Sequence, residues 1–181
     1  MDKIMIGQIF SITATIVTFL SYQTNSKKWV LIIQTIATFL TCVAYFFLGA
    51  TSGFVLNIVC IIRNIVFYFT KEGTKTNRLL AYLLAGIIIV LGVFSWQKWY
   101  SLLIIVALSL NTLFLSLGNP QILRKSVLFT SSLIAVYNII VFSIGGIANE
   151  LLAVTSSAIG IIRFKQSEKS QADWFIFLKI R

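Results

Sequence analysis

Seven apolar runs, each about long enough as a helix to cross the hydrocarbon core of a bilayer, follow one another with only short polar connections between them. They occupy 4–22, 29–48, 53–69, 79–94, 99–117, 127–144 and 147–162. Each run is apolar all round instead of alternating, so in lipid its backbone groups are satisfied only as a helix. Charged residues make up 11% of the 181, against about a quarter in soluble domains, and no stretch remains for a soluble catalytic domain. The expectation is an all-α integral membrane protein with seven transmembrane helices.

Side-chain chemistry narrows the function. With no histidine, five carboxylates and two cysteines, the chain cannot assemble a histidine metal site, a Ser-His-Asp triad or a zinc knuckle. No enzyme activity, cofactor or metal is expected. Cys42 and Cys60 lie inside apolar runs in no ligand spacing, which suits buried free thiols. The net charge of +10 is scattered through the connections and gathers on no single face, so nucleic acid is not an expected partner. Asp2 and Lys3 lead at once into apolar sequence, without a basic start or a small-residue cleavage site, so the first run is expected to stay as a span.

The connections sort by charge. Lys27 and Lys28, then Lys71, Lys75 and Arg78, then Arg124 and Lys125, then Arg163, Lys165, Lys169, Lys179 and Arg181 share one side of a seven-span chain. The other side holds only Lys3 and Lys98. The positive-inside rule makes the basic side cytoplasmic, with the N-terminus outside and the C-terminus inside. Tyr22, Trp29, Trp96 and Trp99 sit at run ends, where amphipathic rings anchor at headgroup depth. The segment 165–181 sets Trp174, Phe175, Phe177, Leu178 and Ile180 among Lys169, Lys179 and Arg181, as in an amphipathic helix lying on a leaflet. The expected partners are therefore the lipid bilayer and anionic lipid headgroups at the cytoplasmic face.

An internal repeat organises the spans. An interval of 97 lays Lys28-Trp-Val-Leu31 over Lys125-Ser-Val-Leu128 and Gly49 over Gly146. Past that turn an interval of 100 pairs Ile61-Ile-Arg63 with Ile161-Ile-Arg163. A three-helix unit repeated in the same orientation needs one helix between its copies, and 79–94 supplies it. The plan is 3+1+3: a first unit over 1–70, a linker region over 71–97, a second unit over 98–164 and the basic tail over 165–181. Such pseudo-symmetry places a binding site near mid-membrane, between the units.

At this point the sequence resembles known families. Asn119-Pro-Gln-Ile-Leu-Arg-Lys-Ser126 looks like the signature of the PQ-loop and SWEET superfamily, whose 3+1+3 plan also matches. Leu48-Gly-Ala50, Asn57 followed by Arg63, and Ser143-Ile-Gly-Gly146 leading to Ile161-Ile-Arg-Phe164 are similar to the bacterial inner-membrane YgjV-type family. The resemblance implies a multi-pass protein of the cell inner membrane and a transporter-like bundle. In SWEET carriers an asparagine on each of the third and seventh helices lines the sugar pocket; here the third offers Asn57 and the seventh offers hydroxyls. The first half departs from the pattern, with Tyr22-Gln23 in place of Pro-Gln.

Polar residues inside spans are costly and mark candidate sites. Those expected along a substrate pathway are Asn57, Arg63, Asn138, Thr155, Ser156 and Ser157, with Pro120 and Gln121 as a hinge. The competing explanation for the amides is helix–helix bonding, which contributes about 0.6 kcal/mol and needs no ligand. Arg63 either snorkels to water or lines a vestibule that attracts an anionic solute. Asp2, Glu72, Glu150, Glu168 and Asp173 fall in connections, at run ends or in the tail, which points to uncoupled passage. Glu150 suits the first turn of a helix, where a carboxylate meets the positive end of the dipole. Gly49 and Gly53, and again Gly145 and Gly146, suit chain reversal. Two functions stand open: a small-solute facilitator working by alternating access between the units, and a non-transporting scaffold or receptor of the PQ-loop type. The oligomeric state is not encoded in any of these features.

Overall fold

The computed structural model describes residues 2–21, 27–71, 73–117 and 120–180, and the side chains among them other than those of 21, 27, 28, 30, 120, 121, 123 and 163–180. Seven helices account for the described chain, which contains no strand: α1 Lys3–Ser21, α2 Lys27–Phe47, α3 Thr51–Phe69, α4 Lys75–Phe94, α5 Ser101–Leu115, α6 Pro120–Ile140 and α7 Ile144–Ile180. Two helices begin well before their apolar runs. The Thr74 hydroxyl accepts the Asn77 N–H at 3.2 Å and caps α4, and Pro120 opens α6, where a missing N–H has no partner to lose. The backbone of α7 runs on without a break to Ile180, so the segment expected as a separate tail continues the seventh helix. Tyr22, Gln23, Asn119 and the side chains of Pro120, Gln121 and the tail lie outside the described residues.

The distribution of side chains inverts that of a soluble protein. Phe69, Tyr82, Phe94 and Ile139 point outward, while Asn57, Arg63, Asn64, Asn77, Thr112, Asn138 and Glu150 are buried. An apolar exterior around a polar interior is stable only where the surrounding solvent is hydrocarbon. Four helices are long and apolar enough to cross a membrane, over Lys3–Leu20, Thr51–Phe69, Lys75–Phe94 and Ile144–Ile162; Leu31–Phe47 and Ser101–Leu115 are apolar but shorter.

Six helices close a ring. α1 packs on α2, α2 on α3, α3 on α5, α5 on α6, α6 on α7, and α7 back on α1. α4 lies against α3 and α5, outside the ring. Within the ring, exchanging α1, α2 and α3 for α5, α6 and α7 leaves the pattern of neighbours unchanged. One end of the bundle carries the connections at 48–50, 95–100 and 141–143, here the turn end. The opposite, basic end carries Lys71, Lys75, Arg78, Arg124 and Lys125.

The two turns that join α2 to α3 and α6 to α7 match bond for bond. Leu48, Gly49 and Ala50 donate their N–H groups to Ala44, Phe46 and Tyr45; Val141, Phe142 and Ser143 donate theirs to Tyr137, Ile139 and Asn138. Gly49 with φ of 70° and Phe142 with φ of 59° take the left-handed position after each helix. Equivalent residues therefore stand 93 apart here, as from Gly49 to Phe142, and not 97. The offset is about one helical turn, within which apolar sequence matches itself almost equally well. Gly145 and Gly146, expected to reverse the chain, instead lie in the first turn of α7, and Val141 to Ser143 make the reversal.

A backbone cost is separable at Gly49, where an added Cβ meets nothing within 4 Å. Gly49→Ala is expected to lower stability by about 1 kcal/mol through the left-handed conformation alone, read as a lower unfolding midpoint in detergent. An unchanged midpoint rejects the left-handed turn at this residue.

Candidate functional site

The ring encloses a cavity of about 440 Å³, within the range of small-molecule clefts. It begins beneath Tyr45 and reaches Arg124 and Leu115, the last residue of α5, toward the basic end. All six ring helices contribute to it.

The interval of 93 that relates the turns also pairs the walls. Thr38 corresponds to Ser131, Asn57 to Glu150, Arg63 to Ser156 and Asn64 to Ser157, and all eight line the cavity. Gly53 and Gly146 form another such pair. A Cβ on Gly53 would sit 2.7 Å from the Tyr45 ring and 2.8 Å from the Tyr137 hydroxyl, and one on Gly146 would sit 2.6 Å from the Asn138 amide. These glycines let the helices close together just above the cavity. Asn57 and Glu150 each follow four residues later, about 6 Å deeper at the rise of an α-helix.

Asn57 donates its Nδ2 to Gly53 O on its own helix at 2.7 Å. That bond ties no helix to another, so helix–helix bonding does not account for this asparagine. Arg63 is buried and does not snorkel out of the bundle. Its Nε and Nη2 donate to Asn64 Oδ1 at 3.3 and 3.1 Å, and its Nη1 to Thr112 Oγ1 of α5 at 3.3 Å. These uncharged acceptors aim the guanidinium and leave part of its five-donor fork for the cavity. Arg124 donates Nη1 to Gly160 O at 3.0 Å, beside the mouth.

Three expected placements are corrected. Asn138 lies above the main cavity, where its Oδ1 accepts the Tyr45 hydroxyl at 2.6 Å; it belongs to the closure. Thr155 is exposed on the outer face of α7 and donates to Leu151 O of its own helix at 2.8 Å, because two residues along a helix turn it about 200° from Ser157. Glu150 is neither at a run end nor in the first turn of α7. It is the seventh residue of that helix, buried in the cavity wall beside Ser131 and Asn149, whose Nδ2 donates to it at 3.2 Å. The expectation of uncoupled passage rested on spans free of carboxylates, and Glu150 removes that basis. Ser156 and Ser157 line the cavity. Cys42 and Cys60 are both buried and free, and Cys60 faces the cavity.

The turn end is sealed by bonds between elements far apart in sequence. The Gly53 N–H donates to the Tyr137 hydroxyl at 2.9 Å, and the Tyr45 and Tyr137 rings meet edge to face at 5.8 Å. Two glutamines act as latches. Gln8 of α1 donates to Phe142 O and accepts the Ile144 N–H at 3.0 Å. Gln97, just before α5, donates to Gly49 O at 2.9 Å and accepts the Ser52 N–H at 3.4 Å. Serines repeat the match: Ser11 bonds Ser143 at 2.9 Å, and Ser52 bonds Ser101 at 2.8 Å. Sequence reasoning assigns no role to Gln8, Gln97, Tyr45 or Tyr137, since nothing in a polar or aromatic residue says which turn it will span.

No curated protein and no solved structure matches the chain. The family model described as "Bacterial inner membrane protein", Imp-YgjV, matches residues 5–168, most of the chain, and the apolar exterior of the bundle accords with that description: the chain belongs to the Imp-YgjV family of bacterial inner membrane proteins.

Proposed function

We propose that this protein is a small-solute carrier, working by alternating access between two three-helix units, α1 to α3 and α5 to α7, with α4 as linker. The observation that carries the reading is a polar cavity with paired walls, sealed at one end by bonds between the units and extending to the other. The unchanged pattern of neighbours on exchanging the units supports the 3+1+3 plan. Kinship with the PQ-loop and SWEET group draws on that plan and on the Pro120-Gln121 pair that opens α6, the place where a hinge would act. The basic residues at one end of the bundle favour a cytoplasmic basic end, an outside N-terminus and an inside C-terminus. A non-enzymatic role is part of this reading: the wall offers amides, hydroxyls and charges that can bind a solute. A scaffold has no use for a cavity of this size, and no separate observation favours it.

Asn57→Leu is the direct test. The purified protein is screened by thermal shift against sugars, nucleosides, vitamins and amino acids, and uptake of any stabilising solute is measured in proteoliposomes. The substitution is expected to leave folding intact and to cut uptake by about tenfold or more, the scale of one lost polar contact in a buried site. Unaltered flux removes the cavity from the pathway. Uptake that a proton gradient does not accelerate supports uncoupled passage; acceleration overturns it.

A further inference from the structure

Three ionisable side chains line the cavity, Glu150 near its sealed end, Arg63 deeper and Arg124 at the mouth. Among the described residues each finds only uncharged partners: Ser131 and Asn149 for Glu150, Asn64 and Thr112 for Arg63, and Gly160 O for Arg124. A charge inside a membrane bundle costs several kcal/mol unless it is paired, so opposite charges held apart mark a place where a ligand completes the pairing.

Their separation is readable from the helices. Glu150 shares its level with Asn57, since each follows by four residues a glycine packed against the closure. Arg63 lies six residues beyond Asn57 on α3, about 9 Å further from the closure at 1.5 Å per residue. A second acceptor stands beside the carboxylate: Asn149 Oδ1 is buried and, among the described residues, without a partner, while its Nδ2 is committed to Glu150. A carboxylate with an adjacent unused amide oxygen is a set of acceptors for an ammonium group, which has three donors and accepts nothing.

We infer that the cavity takes a small zwitterion of the α-amino-acid class, its ammonium group on Glu150 and Asn149 Oδ1 and its carboxylate on Arg63. The inference rests on the same cavity as the carrier reading and adds the substrate class. A plain anion would satisfy Arg63 but face Glu150; a plain cation would have to pass Arg124 and Arg63; a neutral sugar would leave both charges unpaired. Arg124 at the mouth draws the carboxylate end inward first.

The test uses the full-length purified protein and three sets of probes: free L-serine, L-glutamine and L-leucine, their N-acetyl derivatives, and their carboxamides. At least one free amino acid is expected to raise the unfolding midpoint, and neither of its derivatives to do so. Glu150→Gln is expected to transfer the response to the N-acetyl compound, and Arg63→Gln to the carboxamide. Should Arg63→Gln not fold, Glu150→Gln alone decides. No response to any free amino acid overturns the inference, and so does a derivative that stabilises the native protein as well as its parent. A sugar whose uptake is abolished by Asn57→Leu would overturn the zwitterion and leave the carrier standing, whereas uptake indifferent to Asn57→Leu removes the carrier reading itself.

Discussion

Gly145→Ala is expected to unseat α1 from α7 and to lower stability by about 4 kcal/mol. The added Cβ would fall on the backbone carbon, carbonyl oxygen and hydroxyl of Ser11, well inside contact distance. A flexible side chain could turn away, but a main chain in mid-helix can yield only if α1 moves as a body. That movement strains several bonds at once, because the Thr15 hydroxyl donates to Gly145 O at 2.6 Å and the Gly146 N–H to the Ser11 hydroxyl at 2.9 Å. Overpacking costs about 1–3 kcal/mol and each lost buried bond about 1 kcal/mol, which together give the figure. The control is Gly86, exposed on α4 with nothing within 4 Å of a new Cβ; there alanine should stabilise by up to about 1 kcal/mol through helix propensity. Denaturation in detergent separates the two. Equal midpoints for both variants would mean that α1 and α7 do not touch at Ser11.

Sequence made the helices legible and left their register obscure. Seven apolar runs announce seven helices because the period of hydrophobicity is lost when every face meets lipid or a neighbour, and length alone then decides. The starts of α4 and α6 slid into polar sequence because Thr74 and Pro120 are good helix openers. The internal repeat is legible, but the sequence favours an interval one turn too long before the connection and about two turns too long after it. At 100, the interval read past the turn, Asn57 falls over Ser157, and at 93 over Glu150, so the slip hides the partner of the most informative residue. Phe142 made the slip hard to avoid, since a phenylalanine gives no sign of the left-handed turn that Gly49 advertises, while Gly145 and Gly146 next to it look like turn residues and serve close packing instead. Asn57, Arg63, Ser156 and Ser157 could be found as polar residues in apolar runs. That Asn138 belongs to the seal and Thr155 to the outer face depends on rotations about the helix axes that one sequence does not fix.

Removing both glutamine latches should open the turn end, and Cys60 provides the readout without any added label. Its thiol is buried in the cavity wall beneath Tyr45 and Tyr137, so a membrane-impermeant thiol reagent supplied from the turn side reaches it only when that end opens. Gln8 and Gln97 each hold one turn by two bonds, but in exposed surroundings, where a pair of such bonds contributes about 1 kcal/mol net. Replacing either with leucine should then raise the open population, and with it the rate of Cys60 modification, about fivefold. The latches clasp different turns and share no partner, so their effects should multiply to about thirtyfold in Gln8→Leu with Gln97→Leu. A rigid scaffold gives a different answer: the cavity stays closed at that end and the rate does not move in any variant. If the double substitution gives no more than about the fivefold expected of one latch, the two turns open independently, and the cavity has two gates instead of one opening that must break both latches.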